Sequence, residues 1–313
     1  MSSELQARPA FPDVLIAPLD GSRTSERSIP LLVRLADHLD VPVRFLHVFD
    51  SIRQLRKFAR TDIEWSEDAD PRALLDPPAW MEDSVSELAA TEARIEVVGR
   101  VGKPSEEIIK ELNRTEHSWA IMSSLGATGT RKLFLGSTTR KVVRSATSPL
   151  IVVPAHLPKL QAESESRSGT VSVLLDGTEV SHSSIPHAAA IAEGCGLNLE
   201  FVRVAETFRD DAGAAADELR WEKQSRDEVE GYLDRIAEEW SSLSCPVSTA
   251  GLGGNPVKQI CRHVEESSPL LVALATRRRS GIERWTYGSV AEKLADSVSI
   301  PLMLVPVDDA WLE

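Results

Sequence analysis

The chain has 313 residues, of which 42% are hydrophobic and 27% are charged, a composition typical of a globular protein that buries a substantial core. The length predicts two domains. The net charge of −13 argues against a general nucleic-acid or anionic-membrane surface, because both need a basic face. We therefore expect neither nucleic acid nor a membrane among the partners.

Strand and helix patterns alternate from the amino terminus onward. Short apolar runs predict strands, and apolar residues at helical spacing predict helices. The tract at 50–78 is too polar for a sheet, and we interpret it as a surface excursion, with a lid over a ligand as the alternative. In the first half the predicted strands are 13–18, 42–48, 94–100, 118–123 and 149–153, and the predicted helices are 24–39, 80–91, 104–114 and 137–146.

The second half repeats the first. Residues 14–22, VLIAPLDGS, recur as residues 170–178, TVSVLLDGT, which matches Asp20 with Asp176. The chain is therefore predicted to be a tandem duplication, with domains at 11–155 and 170–307 and a linker at 156–169. Further matches are Leu46-His47-Val48 with Val202-Arg203-Val204, Gly102-Lys103-Pro104 with Gly254-Asn255-Pro256, Gly136-Ser137 with Gly288-Ser289, and Pro149-Leu150 with Pro301-Leu302. The predicted strands are 170–175, 197–204, 246–252, 269–275 and 301–305, and the predicted helices are 181–194, 212–242, 256–266 and 289–297.

This alternation predicts an α/β fold. Strands that are nearly all apolar and are separated by helices imply a parallel sheet covered on both faces. Right-handed crossovers then give a doubly wound layer structure in each half. Ligands of such folds bind at the carboxyl ends of the strands.

A glycine-rich loop lies between the predicted strand 118–123 and the helix that follows Ser137. It contains Gly126, Gly129 and Gly136. Glycine permits positive φ and a close approach of the backbone to a ligand, and the N-terminus of a helix presents N–H groups to an anion. This arrangement favours a phosphate group as the ligand.

Two five-stranded α/β units, each with Asp after its first strand and Gly-Ser before its last helix, resemble a tandem universal stress protein. ATP-binding members of that family carry Gly-x-x-Gly, nine residues, then Gly-Ser or Gly-Thr. Here the first copy has Ser123 in place of the first glycine, then Gly126, nine residues and Gly136-Ser137. The resemblance implies doubly wound five-stranded domains of the adenine-nucleotide α-hydrolase-like, Rossmann-like class. It also implies an intramolecular pseudo-dimer in which 149–153 pairs with 301–305.

The resemblance also implies a set of ligand contacts in the first copy. Asp20 would lie near the triphosphate and ribose of ATP, with Mg²⁺ as an option, and Val43 and Met122 would border the adenine. The alternative is that Gly126 and Gly129 only shape the loop. The implied nucleotide-binding residues are Asp20, Val43, Met122, Ser123, Gly126, Gly129, Gly136, Ser137 and Thr138.

The second copy departs further from the family pattern. Alignment on Gly288-Ser289 puts Ala275 and Arg278 where the two glycines belong. An arginine side chain there is expected to occupy the space of the phosphates. We therefore expect a degenerate second site that holds no nucleotide.

Three function classes remain. The first is a cytoplasmic stress-response protein in which ATP, or another adenine nucleotide, regulates interactions with a protein partner that the sequence does not identify. The second is an interaction module that dimerises without nucleotide, and the third is a slow adenine-nucleotide hydrolase. No catalytic constellation is recognisable, so at most weak ATPase activity is expected. A homodimer is compatible with each class.

The expected location is the cytoplasm. No apolar run approaches the length that spans a bilayer, and residues 1–13 lack the apolar region of a secretion signal. The three cysteines, an odd number without metal-ligand spacing, favour a reducing compartment over a disulfide framework.

Overall fold

The computed structural model describes residues 8–50, 93–125, 135–155, 157, 169–205, 215–278, 293–294 and 299–308. Gly126, Gly129, the tract at 50–78 except Asp50, the predicted helix at 80–91 and most of the predicted helix at 289–297 lie outside these residues, as does most of the linker. The chain divides into two compact units, Pro12–Glu163 and Ser164–Glu313 together with Met1–Phe11. We call them the first unit and the second unit.

In the first unit, parallel strands are connected through helices. The sheet order is β3-β2-β1-β4-β5. The elements are β1 (Val14–Pro18), α1 (Ile29–Leu39), β2 (Val43–Phe49), β3 (Ile95–Val101), α2 (Pro104–Arg114), β4 (Ser118–Ser123), α3 (Ser137–Ser145) and β5 (Leu150–Val153).

The second unit has the same order of strands, β8-β7-β6-β9-β10, and its pairs are again parallel. Its elements are β6 (Thr170–Leu174), α4 (Glu179–His182), α5 (Ile185–Gly194), β7 (Asn198–Ala205), α6 (Ala215–Glu239), β8 (Val247–Gly253), α7 (Pro256–Ser267), β9 (Leu271–Arg278) and β10 (Leu302–Asp308). The prediction of two similar doubly wound α/β units is confirmed.

The apolar runs of the sequence form the central strands. Every residue of β1, β4 and β5 is buried, as expected for strands covered on both faces. Five residues at helical spacing, four in α6 and one directly after its end, are buried and form one apolar stripe. They are Val229, Tyr232, Leu233, Ile236 and Trp240.

Two predicted helices are each divided in the structure. A 3₁₀ turn at Ser25–Ser28 precedes α1, and α4 precedes α5. Pro30 and Pro186 lie in the first turns of α1 and α5. Proline lacks an N–H group and is accommodated best where a helix begins, so it starts a new helix at these positions.

The strand predictions agree with the structure except at the ends of β9 and β10, which extend to Arg278 and Asp308. The pairing of 149–153 with 301–305, and with it the pseudo-dimer, stays a prediction. No helix of the described residues is long and apolar enough to cross a membrane.

An ionic contact joins a helix to the sheet at equivalent positions of the two units, with the charges exchanged. In the first unit, Arg44 of β2 contacts Glu111 of α2 at 3.1 Å, and Arg100 and Arg114 also contact Glu111. In the second unit, Glu200 of β7 accepts a hydrogen bond from Ser172 and pairs with His263 of α7 at 3.0 Å.

The Glu200–His263 pair titrates in a way that follows from its contacts. Its hydrogen bond to Glu200 raises the pKa of His263, against the cost of burial. Burial would raise the pKa of Glu200, but hydrogen bonds from His263 and Ser172 lower it. The stabilisation from His263 is complete below its ordinary pKa of 6.5 and is lost as pH rises through the raised value. The stabilisation from Glu200 is complete above its ordinary pKa of 4.5 and is lost as pH falls through the lowered pKa.

His263→Gln is therefore expected to lower the free energy of unfolding most between pH 4.5 and pH 6.5, where both groups of the pair are charged. We expect the loss to be larger at about pH 5.5 than at about pH 9, by on the order of 1 kcal/mol. Urea titrations of the full chain at both pH values measure it. The control is His117→Gln, since His117 is exposed and lies 3.5 Å from Asp13. Equal losses at the two pH values would contradict the charged pair.

Candidate functional site

The turn after β1 is built around the carboxylate of Asp20. Both the backbone N–H and the hydroxyl of Ser22 donate to Asp20 Oδ1, at 3.0 and 2.6 Å. Gly21 between them has φ of 78°, a conformation that glycine adopts without strain. The sequence Asp-Gly-Ser thus folds locally into a turn that presents an exposed carboxylate at the carboxyl end of β1.

The start of α3 is fixed against the end of β4. The N–H of Gly136 donates to Ser124 O at 2.7 Å, and the hydroxyl of Thr139 donates to Ser123 O at 3.1 Å. Two bonds therefore close the base of the glycine-rich loop, whose own residues 126–134 are not described. The first turn of α3 begins beside the strand end, whatever path the loop takes.

Gly136 is the N-terminal cap of α3, with φ of −60° and ψ of 163°. This is ordinary extended backbone, so the glycine is not required for a positive φ. Glycine is among the residues preferred at a helix N-cap, and its lack of a side chain also permits a close approach of another group.

The N-terminus of α3 presents hydrogen-bond donors to the same edge of the sheet. The first N–H groups of a helix have no partner inside the helix, and their dipoles favour an anion. Ser137 is exposed and Thr138 is half-buried. No acidic residue lies in the first turn of α3, so no carboxylate of this turn competes for these donors.

The structure brings together most of the described residues that were predicted to contact the ligand. The register of β1 with β4 pairs Val14 with Ser118 and Ile16 with Ala120. Continued along the strands, it places Met122 and Ser123 at the edge where Asp20 follows β1. Gly136, Ser137 and Thr138 lie at the start of α3, which is bonded to the residues at this edge.

Val43 does not belong to this group. It is the first residue of β2 and pairs with Leu15, so it lies at the amino ends of the parallel strands. Five residues at about 3.3 Å each separate it from the end where Asp20 lies. The structure therefore does not bring Val43 together with Asp20, and the contact of Val43 with the adenine stays a prediction that this register does not support. The same register places Val48, which the sequence analysis missed, beside Asp20. The rule that ligands bind at the carboxyl ends points to Val48.

Ser123, where the family pattern has glycine, carries an unusual hydroxyl group. The residue is 4% exposed, and its Oγ has no hydrogen-bond partner among the described residues. The next residue differs, because Ser124 Oγ accepts from the N–H of Ala155 at 2.9 Å. A buried polar group without a partner costs about 1–3 kcal/mol.

His47 supports the turn after β1 from the neighbouring strand. Its Nδ1 lies 2.8 Å from Leu19 O. Because a carbonyl only accepts, Nδ1 carries a proton. Burial lowers the pKa of His47, although the bond to Leu19 and the charge of Asp20 oppose this effect. His47 is therefore a neutral, structural histidine near neutral pH.

The second unit repeats the turn after its first strand. The N–H and hydroxyl of Thr178 donate to Asp176 Oδ1 at 2.9 and 2.6 Å, around Gly177 with φ of 87°. Burial opposes ionisation of Asp176, but the bonds from Thr178 outweigh it and lower the pKa of Asp176.

The surroundings of this second turn differ from those in the first unit. Arg203 replaces His47, and a methyl group on Gly177 would collide with its guanidinium group. The guanidinium also lies 4.3 Å from the ring centre of Tyr232, whose hydroxyl is 2.6 Å from His182 Nε2. Arg203 therefore packs against this turn, while Asp176 and Gly177 stay exposed.

Ala275 and Arg278 were expected to exclude a nucleotide through their side chains, whereas the structure shows a difference in how their backbone is used. Both residues belong to β9, with Ala275 paired to Val305 and Arg278 paired to Asp308. The strand thus continues beyond the position at which β4 ends in the first unit. Backbone that would line a loop in the first unit is used here for strand pairing.

No group of three or more His, Cys, Asp or Glu side chains in the described part of the chain is arranged to hold a metal ion. Asp20 alone offers one exposed carboxylate at the site. Mg²⁺ often binds through one or two carboxylates together with phosphate oxygens. Asp20 fits such a shared role and does not form a site for Mg²⁺ by itself.

Ser123→Ala is expected to raise the free energy of unfolding by about 1 kcal/mol, because it removes a buried hydroxyl that has no partner among the described residues. The matched variant is Ser118→Ala in the same strand. Ser118 is fully buried and its hydroxyl donates to Leu112 O at 3.0 Å, so this change should destabilise the protein. Urea unfolding of both variants measures the difference. Destabilisation by Ser123→Ala of the same size would show that the hydroxyl has a partner.

Comparisons with known proteins bear on both units. A universal stress protein of Methanocaldococcus jannaschii is 28% identical over 136 residues, which cover 42% of this chain and 77% of that protein. The solved structure of a universal stress protein from Archaeoglobus fulgidus has a TM-score of 0.60 at 18% identity, and the match covers 96% of this chain and 99% of that one. A functionally unknown protein from Pseudomonas aeruginosa has a TM-score of 0.63 at 15% identity, covering 98% of this chain and 96% of its own.

Structural similarity at these identities shows the fold alone. The family assignment comes from the sequence model of the universal stress protein family, which matches residues 13–154 and again residues 168–306. The two matches together cover most of the chain. The chain therefore belongs to the universal stress protein family and carries two copies of the family's domain.

Proposed function

We propose that the first unit binds one adenine nucleotide, with ATP as the leading candidate, and that the chain acts as a nucleotide-dependent regulator in a stress response. One observation supports this most strongly. The N-terminus of α3 is bonded to the end of β4, at the sheet edge where the Asp20 carboxylate is also exposed. A helix N-terminus fixed at this edge suits a phosphate group.

In this proposal the phosphates lie over the start of α3. The N–H groups of Ser137 and Thr138, with their hydroxyls, donate to phosphate oxygens, and Gly136 allows the close approach. The contacts of Gly126 and Gly129 with the phosphates stay predictions, since both residues lie outside the described part of the chain. Asp20 holds Mg²⁺ jointly with the phosphates, and the ion would supply charge neutralisation there.

The base lies on the other side of Asp20. Met122 is a buried apolar residue one position before the end of β4, and Val48 is half-buried one position before the end of β2. These two residues, rather than Val43, border the adenine in the proposal. Ser123 lies between the base and the phosphates.

The second unit holds no nucleotide in this account. Arg203 packs on Gly177, and β9 uses the backbone of Ala275 and Arg278 for pairing with β10. The first feature puts a cationic side chain beside the turn, and the second uses for strand pairing the backbone that would line the loop in the first unit.

Regulation is favoured over catalysis. When the Nδ1 proton of His47 is directed to Leu19 O, its basic lone pair is on Nε2, and this atom is buried away from solvent, so His47 does not reach a water or substrate as a general base. Turnover of ATP, if present, is expected to be slow. The second candidate is an interaction module that dimerises without nucleotide, which the residue Ser123 at a glycine position favours. The cytoplasm is the proposed location, in line with the cysteine usage.

The first test is binding stoichiometry in a calorimetric titration with Mg-ATP. We expect about one nucleotide per chain, and Asp20→Ala should weaken binding at least about tenfold through loss of the carboxylate. Asp176→Ala is the matched control, since it removes the same turn from the second unit. A stoichiometry of two nucleotides per chain would contradict a single site. Loss of binding with Asp176→Ala and not with Asp20→Ala would show that the site lies in the second unit.

The second test is Gly136→Val, which is expected to abolish nucleotide binding while the chain stays folded. The backbone at Gly136 accommodates any residue, so the effect should come from the side chain that blocks close approach. Gly169→Val is the control, because a side chain at Gly169 meets only Leu197, at 3.5 Å. Equal binding by wild type and Gly136→Val would contradict the proposed position of the phosphates.

A further inference from the structure

A cleft of about 580 Å³ opens in the second unit at the carboxyl ends of β7 and β8. Helix α6 forms one wall, and β8 with the first turn of α7 forms the other. It lies apart from the Asp176 turn, which follows β6. Its volume is within the range of small-molecule sites, about 300–1,000 Å³. Its lining includes Arg226, Glu230, Gly253, Lys258 and Gln259.

Glycine keeps the floor of the cleft open. A side chain built at Gly253 would meet nothing within 4 Å, and its φ is not in the region that demands glycine. The neighbouring Gly254 differs, because its φ of 121° requires glycine. Gly253 is therefore unexplained by backbone geometry or by packing, and its effect is to leave space above β8.

The duplication provides an internal comparison for these residues. Gly102 and Gly254 match, and both have positive φ. At the same offset Gly253 corresponds to Val101, Lys258 to Glu106 and Gln259 to Glu107. The second unit has thus lost a side chain and two carboxylates at one place while keeping the backbone of the turn.

The charges of the cleft follow from these exchanges. In the first unit, Lys103 and Glu106 pair with each other at 2.9 Å. In the second unit, Arg226 and Lys258 are exposed and form no ion pair within the described part of the chain. Glu230 is the acidic residue on the wall, so these three side chains carry a net charge of plus one. A cation in the first turn of a helix opposes the helix dipole, so Lys258 costs stability unless an anion lies nearby.

We propose that this cleft is a second ligand site, independent of the nucleotide site, and that it binds a small phosphate-bearing molecule. Lys258 and Arg226 approach the phosphate from the two walls, and the side-chain amide of Gln259 supplies a further donor. The body of the ligand lies on the bare backbone at Gly253. Lysine binds phosphate as a point charge, which suits a group reached from several directions.

The test is a two-dimensional ¹H–¹⁵N NMR titration of the labelled full chain with inorganic phosphate at constant ionic strength. We expect saturable shifts at the amides of Gly253, Gly254 and Lys258. Gly253→Val, which installs the residue of the first unit, and Lys258→Glu should each weaken this binding by about tenfold. Unchanged spectra elsewhere show that each variant is folded.

Arg262→Glu is the matched control, because it makes the same charge change on α7 at a residue that pairs with Glu266 and does not line the cleft. Its affinity for phosphate should remain within about twofold of wild type. Non-saturable shifts, or an equal loss with Arg262→Glu, would overturn the proposal. Acetate that saturates the same amides as tightly as phosphate would overturn the choice of ligand class.

Discussion

The candidate site depends on two hydrogen bonds at the base of one loop. Gly136 N–H to Ser124 O and Thr139 hydroxyl to Ser123 O hold the first turn of α3 against the end of β4. They satisfy two carbonyl groups that the end of the strand leaves unpaired, and they do not involve the loop residues themselves. The N–H groups of the helix are therefore positioned before any ligand arrives. Pre-organisation of this kind lowers the entropic cost of binding.

Much of this arrangement follows from the sequence, because apolar runs, the Asp-Gly turn and Gly136-Ser137 each act locally. Val43 shows what the sequence pattern alone does not reveal. It was chosen as an apolar residue of β2, but strand direction places it at the amino ends of the sheet. Other features required tertiary information. Arg203 packs against Gly177 and also against the ring of Tyr232, which lies far along the chain. The extension of β9 through Arg278 depends on pairing with β10, which local propensity does not reveal.

The two units show how one scaffold diverges after duplication. The link between strand and helix is kept as an ionic contact, although Arg44–Glu111 becomes Glu200–His263. The turn around Asp20 is kept around Asp176 with nearly the same distances. What changes are side chains near the carboxyl ends of the strands, such as His47 to Arg203 and Val101 to Gly253. The contacts that hold the turn and the helix are thus kept in both units, while side chains at the carboxyl ends differ.

The central claim is that nucleotide binding belongs to the first unit alone. Photolabelling the full chain with 8-azido-ATP and mapping the modified peptides by mass spectrometry tests it most directly, because the label attaches next to the adenine. The account predicts modification within residues 12–163, suppressed by excess ATP, and none within residues 164–313. Labelling of the second unit alone, or of both units to equal extents, would contradict it.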